Sequence, residues 1–154
     1  MRPLAPGLRA LVLVLPALMA GCDAASPFEP DFEGEVEAFV SLLNDHRASV
    51  GCSTLRWNGD VAEVALAHSH DMIDRDFFDH TNPDGDSPAD RLRSAGIDYR
   101  RMAENIARGF ETGASVLDAW LGSPGHRTNI ENCQLQEHGV GLVDGHWTHL
   151  FATL

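Results

Sequence analysis

From residue 32 onward the hydrophobic positions recur at spacings that predict definite elements. Val36, Phe39, Val40, Leu43 and the pair His46-Arg47 fall at helical spacing, giving a first helix that ends near Gly51. Cys52 to Trp57 reads as a connector with Leu55 and Trp57 turned inward. Asn58 is placed to cap a second helix, on which Val61, Val64, Ala65, His68 and Met72 share one face. His68 on that apolar face reads as a hydrogen-bonded core histidine, whereas His70 points elsewhere, to solvent. Phe77 to Gly85 is rich in turn residues and ends the helix. Ser87-Pro88 has the cap-then-proline order of a third helix, covering Asp90 to Ala95 and stopped by Gly96. From 101 to 108, Met102, Glu104, Ile106 and Arg108 alternate with Ala103, Asn105 and Ala107, which predicts a strand with Glu104 near its start. Thr112 caps a fourth helix through Trp120, and Ser123-Pro124 opens a short fifth.

The chain closes on a hairpin. Val140 to Val143 and His146 to Ala152 alternate as strands, joined by Asp144-Gly145, a strong two-residue turn signal. On the second strand Trp147, His149 and Phe151 share one face, and His146, Thr148 and Leu150 the other. Helices alternating with late antiparallel strands predict an α/β domain: a three-layer α-β-α sandwich whose central, mostly antiparallel sheet is flanked by helices.

The N-terminus has a different pattern. Arg2 and Arg9 precede an apolar run from Leu11 to Met19, shorter than the ~20 residues that a membrane-spanning helix needs. It ends in Met19-Ala20-Gly21-Cys22, which resembles the bacterial lipobox, where the cysteine becomes the lipidated first residue. The chain is thus divided into a lipoprotein signal peptide (1–21), a polar tether (22–32) and a folded domain (33–154). Plain secretion, with Cys22 incidental, is the alternative.

Charge narrows the partners. There are 11 arginines, no lysine and 23 acidic residues, for a net charge of −12. Without the leader and its two arginines the balance is 9 − 23 = −14. Such a surface repels nucleic acid and anionic headgroups. Cys52 and Cys133 are the cysteines remaining after Cys22. In an exported protein such a pair is expected to form a disulfide, closing a loop of about 80 residues and contributing ~4 kcal/mol on the entropic model. Two buried free thiols are the alternative.

Several stretches, in order, carry a resemblance. They are Leu43-Asn44-x-x-Arg47, Ala65-x-x-His68-x-x-x-Met72, Phe78-x-His80-x-x-Pro83-Asp84-Gly85 and Arg91 to Gly96. Ala103-Glu104-Asn105-Ile106-Ala107, Trp120-x-x-Ser123-Pro124-Gly125-His126-Arg127-x-Asn129-Ile130 and Gly139-Val140-Gly141 follow. The run from His146 is similar to a terminal Gly-His-Tyr-Thr-Gln signature. From about Glu35 to its end the chain resembles the CAP superfamily (cysteine-rich secretory, antigen 5 and pathogenesis-related-1 proteins; the SCP domain), in its short bacterial secreted branch. The resemblance implies an α-β-α sandwich with a cleft holding two histidines and two acidic residues, often around a divalent metal. His80 matches the first histidine, Glu104 the first acidic residue and His146 the histidine of the terminal signature. The second acidic position falls at Ser123, a departure that breaks the tetrad, while His126 three residues on leans toward the same cleft. His149 stands where the family has Gln and reads as a structural hydrogen-bonding residue.

His80, Glu104, His126 and His146 make a reasonable set for Zn or another divalent cation, with imidazole nitrogens at ~2.0–2.1 Å and a place left for water. They come from four separate elements, so only the fold can assemble them. The alternative is a Glu104–histidine network that satisfies buried polar groups. As chemistry, a metal-bound water with Glu104 as base would be hydrolytic, and Ser123 is imaginable as a nucleophile. There is no Gly-x-Ser-x-Gly elbow and no His-Glu-x-x-His helix, and Ser123 reads more simply as a helix cap. The expected protein is therefore an exported, lipid-anchored, monomeric CAP-domain protein whose cleft binds a divalent metal and a small, lipidic or sterol-like ligand. A hydrolase and a structural envelope protein are the alternatives. Trp57, Phe77, Phe78, Phe110 and Trp120 are candidates for an apolar groove.

Overall fold

The computed structural model describes residues 32–154; the lipobox, Cys22 and the tether up to residue 31 lie outside them. The chain runs α1 (Phe32–Ser49), β1 (Arg56–Trp57), α2 (Gly59–Asp74), α3 (Pro88–Ser94), β2 (Arg101–Arg108), α4 (Gly113–Gly122), α5 (Pro124–Ile130), β3 (Glu137–Val143) and β4 (His146–Thr153). Local chemistry sets the helix starts. The Asn58 side chain accepts from Val61 N at 3.2 Å, Ser87 and Asp90 form a reciprocal capping box, and Thr112 accepts from Ser115 N. Ser123 occupies the cap position of α5, but its hydroxyl makes no capping bond; Pro124 alone marks that start.

The four strands form one sheet in the order β1-β3-β4-β2. β4 pairs antiparallel with β2 and β3, while the two residues of β1 pair parallel with Glu137 and His138. The sheet is therefore mixed. β1 was too short to leave a period in the sequence. Asp144 and Gly145 both take positive φ, 42° and 69°, as the hairpin turn requires.

Alternation on β4 divides the core in two. Trp147 and Phe151 pack with Phe39 and Leu43 of α1 and Val116, Leu117 and Trp120 of α4. Leu150 points to the opposite layer, with Val61, Val64 and Ala65 of α2 and Leu92 of α3. Helix α2 lies hard against β3: a Cβ on Gly139 would fall 2.1 Å from Ala62 N, and one on Gly141 2.3 Å from Leu66 Cα. Only glycine allows that approach.

One end of the sandwich is fastened twice. Cys52 and Cys133 form a disulfide, with Cα atoms 4.9 Å apart. Beside it the fully buried Arg47 donates to four backbone carbonyls: Ser53 at 3.0 Å, Ile130 at 2.6 Å, Asn132 at 3.2 Å and Leu135 at 3.2 Å. Leu55 is buried as expected, but Trp57 is 49 % exposed. It sits on the edge strand of the sheet, its ring edge-on to His138 at 5.6 Å.

Candidate functional site

Of the four expected cleft residues, the structure joins His80 to Glu104, which lies in the middle of β2 rather than near its start. The Glu104 side chain is only 2 % exposed, and both carboxylate oxygens are engaged. His80 Nδ1 donates to Oε1 at 2.7 Å, and Arg91 Nη2 donates to Oε2 at 2.6 Å. Each partner arrives for a local reason. The 77–86 loop carries His80 off the end of α2, and the capping box starts α3 so that Arg91 faces back toward the loop. There Arg91 Nη1 donates to His80 O at 2.8 Å and Asp86 O at 3.1 Å. Arg91 therefore holds both the carboxylate and the backbone of the histidine that binds it.

The electrostatics follow from these contacts. The hydrogen bond to Glu104 raises the His80 pKa above its ordinary value, against a smaller opposing effect of partial burial. The His80 side chain is 48 % exposed, so with Nδ1 tied to Glu104 its Nε2 is the nitrogen left for solvent. Below, Asn129 Nδ2 donates to Glu104 O at 3.2 Å and to Asn105 Oδ1 at 2.8 Å, and Asn105 Nδ2 donates to His126 O at 3.2 Å. That chain links α5 to β2. The His126 pKa is lowered, first by burial and then by the nearby charge of His80.

His146 does not join this group. In the β2–β4 register Leu150 lies opposite Glu104, and His146 lies opposite Arg108. Four residues along a strand place His146 about 13 Å from the Glu104 position. Its Nδ1 instead lies 3.1 Å from Asp144 O, at the hairpin. Among the described residues no three His, Cys, Asp or Glu side chains are grouped to hold a metal ion. A guanidinium stands where a cation would approach Glu104. His80, Glu104, His126 and His146 thus do not fit a metal as a set, and the arrangement is an ion-paired network.

Two groups that sequence reasoning passed over are central here. Arg91 was visible as part of a family stretch, yet nothing in its spacing pointed to Glu104. His138 was not singled out; on β3 its Nδ1 lies 3.1 Å from His149 Nε2, with both rings fully buried. His149 thus lies on the core side and His146 on the other, as alternation requires. His68 donates from Nε2 to Asp79 O at 3.1 Å, and burial lowers its pKa; it is a core histidine.

A second concavity lies at the β3 side of the sheet, a groove of about 860 Å³ between α1 and α2. Phe32, Val36 and Val40 form one wall and Ala62 and Leu66 the other. Val140 and Leu142 make the floor, and the exposed Trp57 closes one end. Of the five aromatics expected in an apolar groove, Trp57 alone lines this one; Trp120 is core, 1 % exposed.

An α-β-α sandwich in which a loop histidine, His80, bonds a strand carboxylate, Glu104, is the arrangement that the SCP resemblance implies. The profile of the cysteine-rich secretory protein family, CAP, matches residues 40–151, and the chain belongs to that family. It is 40 % identical over 114 residues to YkwD of Bacillus subtilis, covering 73 % of this chain and 44 % of that protein. It is 34 % identical over 112 residues to the B. subtilis membrane protein YlbC, covering 73 % and 32 %. The chain therefore spans less than half the length of these curated relatives. Among solved structures, an extracellular SCP-domain protein of Bacillus anthracis superposes with a TM-score of 0.79 at 32 % identity, over 84 % of this chain and 45 % of that one. An outer surface protein of Borrelia burgdorferi shares the fold, with a TM-score of 0.74 at 20 % identity over 80 % and 95 %. Among the described residues no helix is long and apolar enough to cross a membrane.

Proposed function

We propose that this chain is an exported module that captures a ligand with apolar surface, and that it does so without chemical turnover. The groove between α1 and α2 carries the reading. At about 860 Å³ it lies in the size range of ligand sites, and its walls and floor are mostly apolar. Export is supported by the leader-like first 21 residues, by the disulfide, and by the extracellular description of the B. anthracis relative. Anchoring through Cys22 is part of the proposal, and Cys22→Ala should move the protein from the detergent phase to the aqueous phase.

The contacts of Glu104 support the absence of turnover. A general base must reach the proton it takes, and the Glu104 side chain is only 2 % exposed, with each oxygen held by a neighbour, one of them a guanidinium. Ser123 has no hydrogen bond to a histidine among the described residues. His80, Glu104 and Arg91 instead brace the 77–86 loop against β2. Titration with the neutral dye Nile red tests the site. Its emission should shift to the blue with wild-type protein and not with Val36→Asp. No shift with wild type, or an equal shift with both, would defeat the reading.

A further inference from the structure

We infer that the groove takes an extended, cationic peptide segment, which adds as a strand to the open edge of β3; this rests on the groove being the ligand site. The edge comes first. Asn58 N donates to His138 O at 2.9 Å, so the backbone groups of His138 face the β1 side. Strand alternation then turns the N–H and C=O of Val140 and Leu142 to that same side. But β1 ends at Trp57, and the chain leaves the sheet into α2. From Gly139 to Val143 no described strand flanks β3 on that side, and Val140 and Leu142 floor the groove. Unpaired strand edges of this kind are templates for main-chain pairing, which supplies affinity while side-chain pockets supply selectivity. Five strand residues span about 16 Å, the length of a short peptide.

Charge selects among apolar occupants. Glu33 and Glu37 from α1 and Glu63 from α2 line the groove, and none has an ion-pair partner among the described residues. No arginine or histidine lines it. An anionic lipid would meet three carboxylates and leave the β3 backbone groups unanswered. A peptide of alternating apolar and basic residues answers the wall, the rim and the edge together.

The test uses the full chain and two blocked octapeptides, one alternating valine with arginine and the other valine with glutamate. The arginine peptide should bind about tenfold or more tightly than the glutamate peptide, weaken with salt, and slow amide hydrogen exchange at Val140 and Leu142. The double variant Glu37→Lys, Glu63→Lys should lose about tenfold or more in affinity for the arginine peptide while still shifting Nile red. Equal affinity for the two peptides, binding without slowed exchange at Val140 and Leu142, or tighter binding of palmitate than of the arginine peptide would overturn the inference. If Nile red binds and neither peptide does, the peptide inference falls and the groove reading stands. If Nile red does not bind either, both fall.

Discussion

Acid should destabilise this fold through the two imidazoles at its centre. His138 and His149 are fully buried, with Nδ1 of the first 3.1 Å from Nε2 of the second. Whichever ring donates, one buried N–H and one buried lone pair are left over, and His138 Nε2 and His149 Nδ1 have no partner among the described residues. Burial, aided by the positive charge of Arg47, pulls the His138 pKa down to about 4. His149 is pushed well below its ordinary value by burial, then by His138 and Arg47. In the unfolded chain both titrate near ~6.5. The folded state therefore binds fewer protons than the unfolded state below that pH. The contribution to stability is whole above pH ~6.5, falls as pH drops, and for His138 levels off near 4. A gap of roughly 2.5 pH units at ~1.36 kcal/mol each gives about 3 kcal/mol for His138, with a further loss of the same sign from His149. Urea unfolding at several pH values between 7 and 4, for wild type and His138→Gln, measures this. Wild type should lose about 3 kcal/mol more than the variant across that range. His80 has a raised pKa, so its contribution is present below pH ~6.5 and lost as pH rises through the folded value; it is common to both proteins and cancels in the difference. Parallel stability curves would refute the reasoning, as would an NMR titration in which His138 protonates near pH 6.5 in the folded protein.

The fastened end and the close-packed strand make separate predictions. Arg47→Lys should cost about 3 kcal/mol in urea unfolding, because an ammonium cannot reach the Ser53, Ile130, Asn132 and Leu135 carbonyls together. Gly141→Ala should cost about 2 kcal/mol or more, with a matching fall in Tm, since its Cβ would meet α2 backbone rather than a movable side chain. Replacing Cys52 and Cys133 together by alanine should lower stability by about 4 kcal/mol for a separation of 81 residues, read as a lower urea midpoint with a somewhat larger m, because the unfolded chain is no longer cross-linked.

What was legible in the sequence was whatever had a period or a cap. Four apolar positions and His68, at helical spacing, define the expected face of α2, and all five are buried. Alternation on β4 separated His146 from His149 correctly. What was not legible depended on register. Glu104 and His146 share a face of the sheet, but nothing in a single chain shows that they sit opposite Leu150 and Arg108 and therefore apart. Arg91 escaped notice as the partner of Glu104 for the same reason: thirteen residues and a loop separate them. Trp57 was assigned inward on hydrophobicity alone, and a two-residue edge strand has no period to contradict that.

That edge strand also connects the rigid and the open parts of the molecule. The β1 residues tie β3 at Glu137 and His138, directly after the segment that Arg47 and the disulfide hold. Arg47 belongs to α1, so the same contacts fix the helix that forms one wall of the groove against the strand that forms its floor. Gly139 and Gly141 fix the other wall by letting α2 touch β3. A groove whose two walls and floor are set by a buried guanidinium, a disulfide and glycine contacts has little freedom left to lose on binding. Pre-organisation of that kind lowers the entropic cost of holding a flexible ligand. The contacts that make this fold stable are therefore the ones that hold α1 and α2 on either side of the β3 edge.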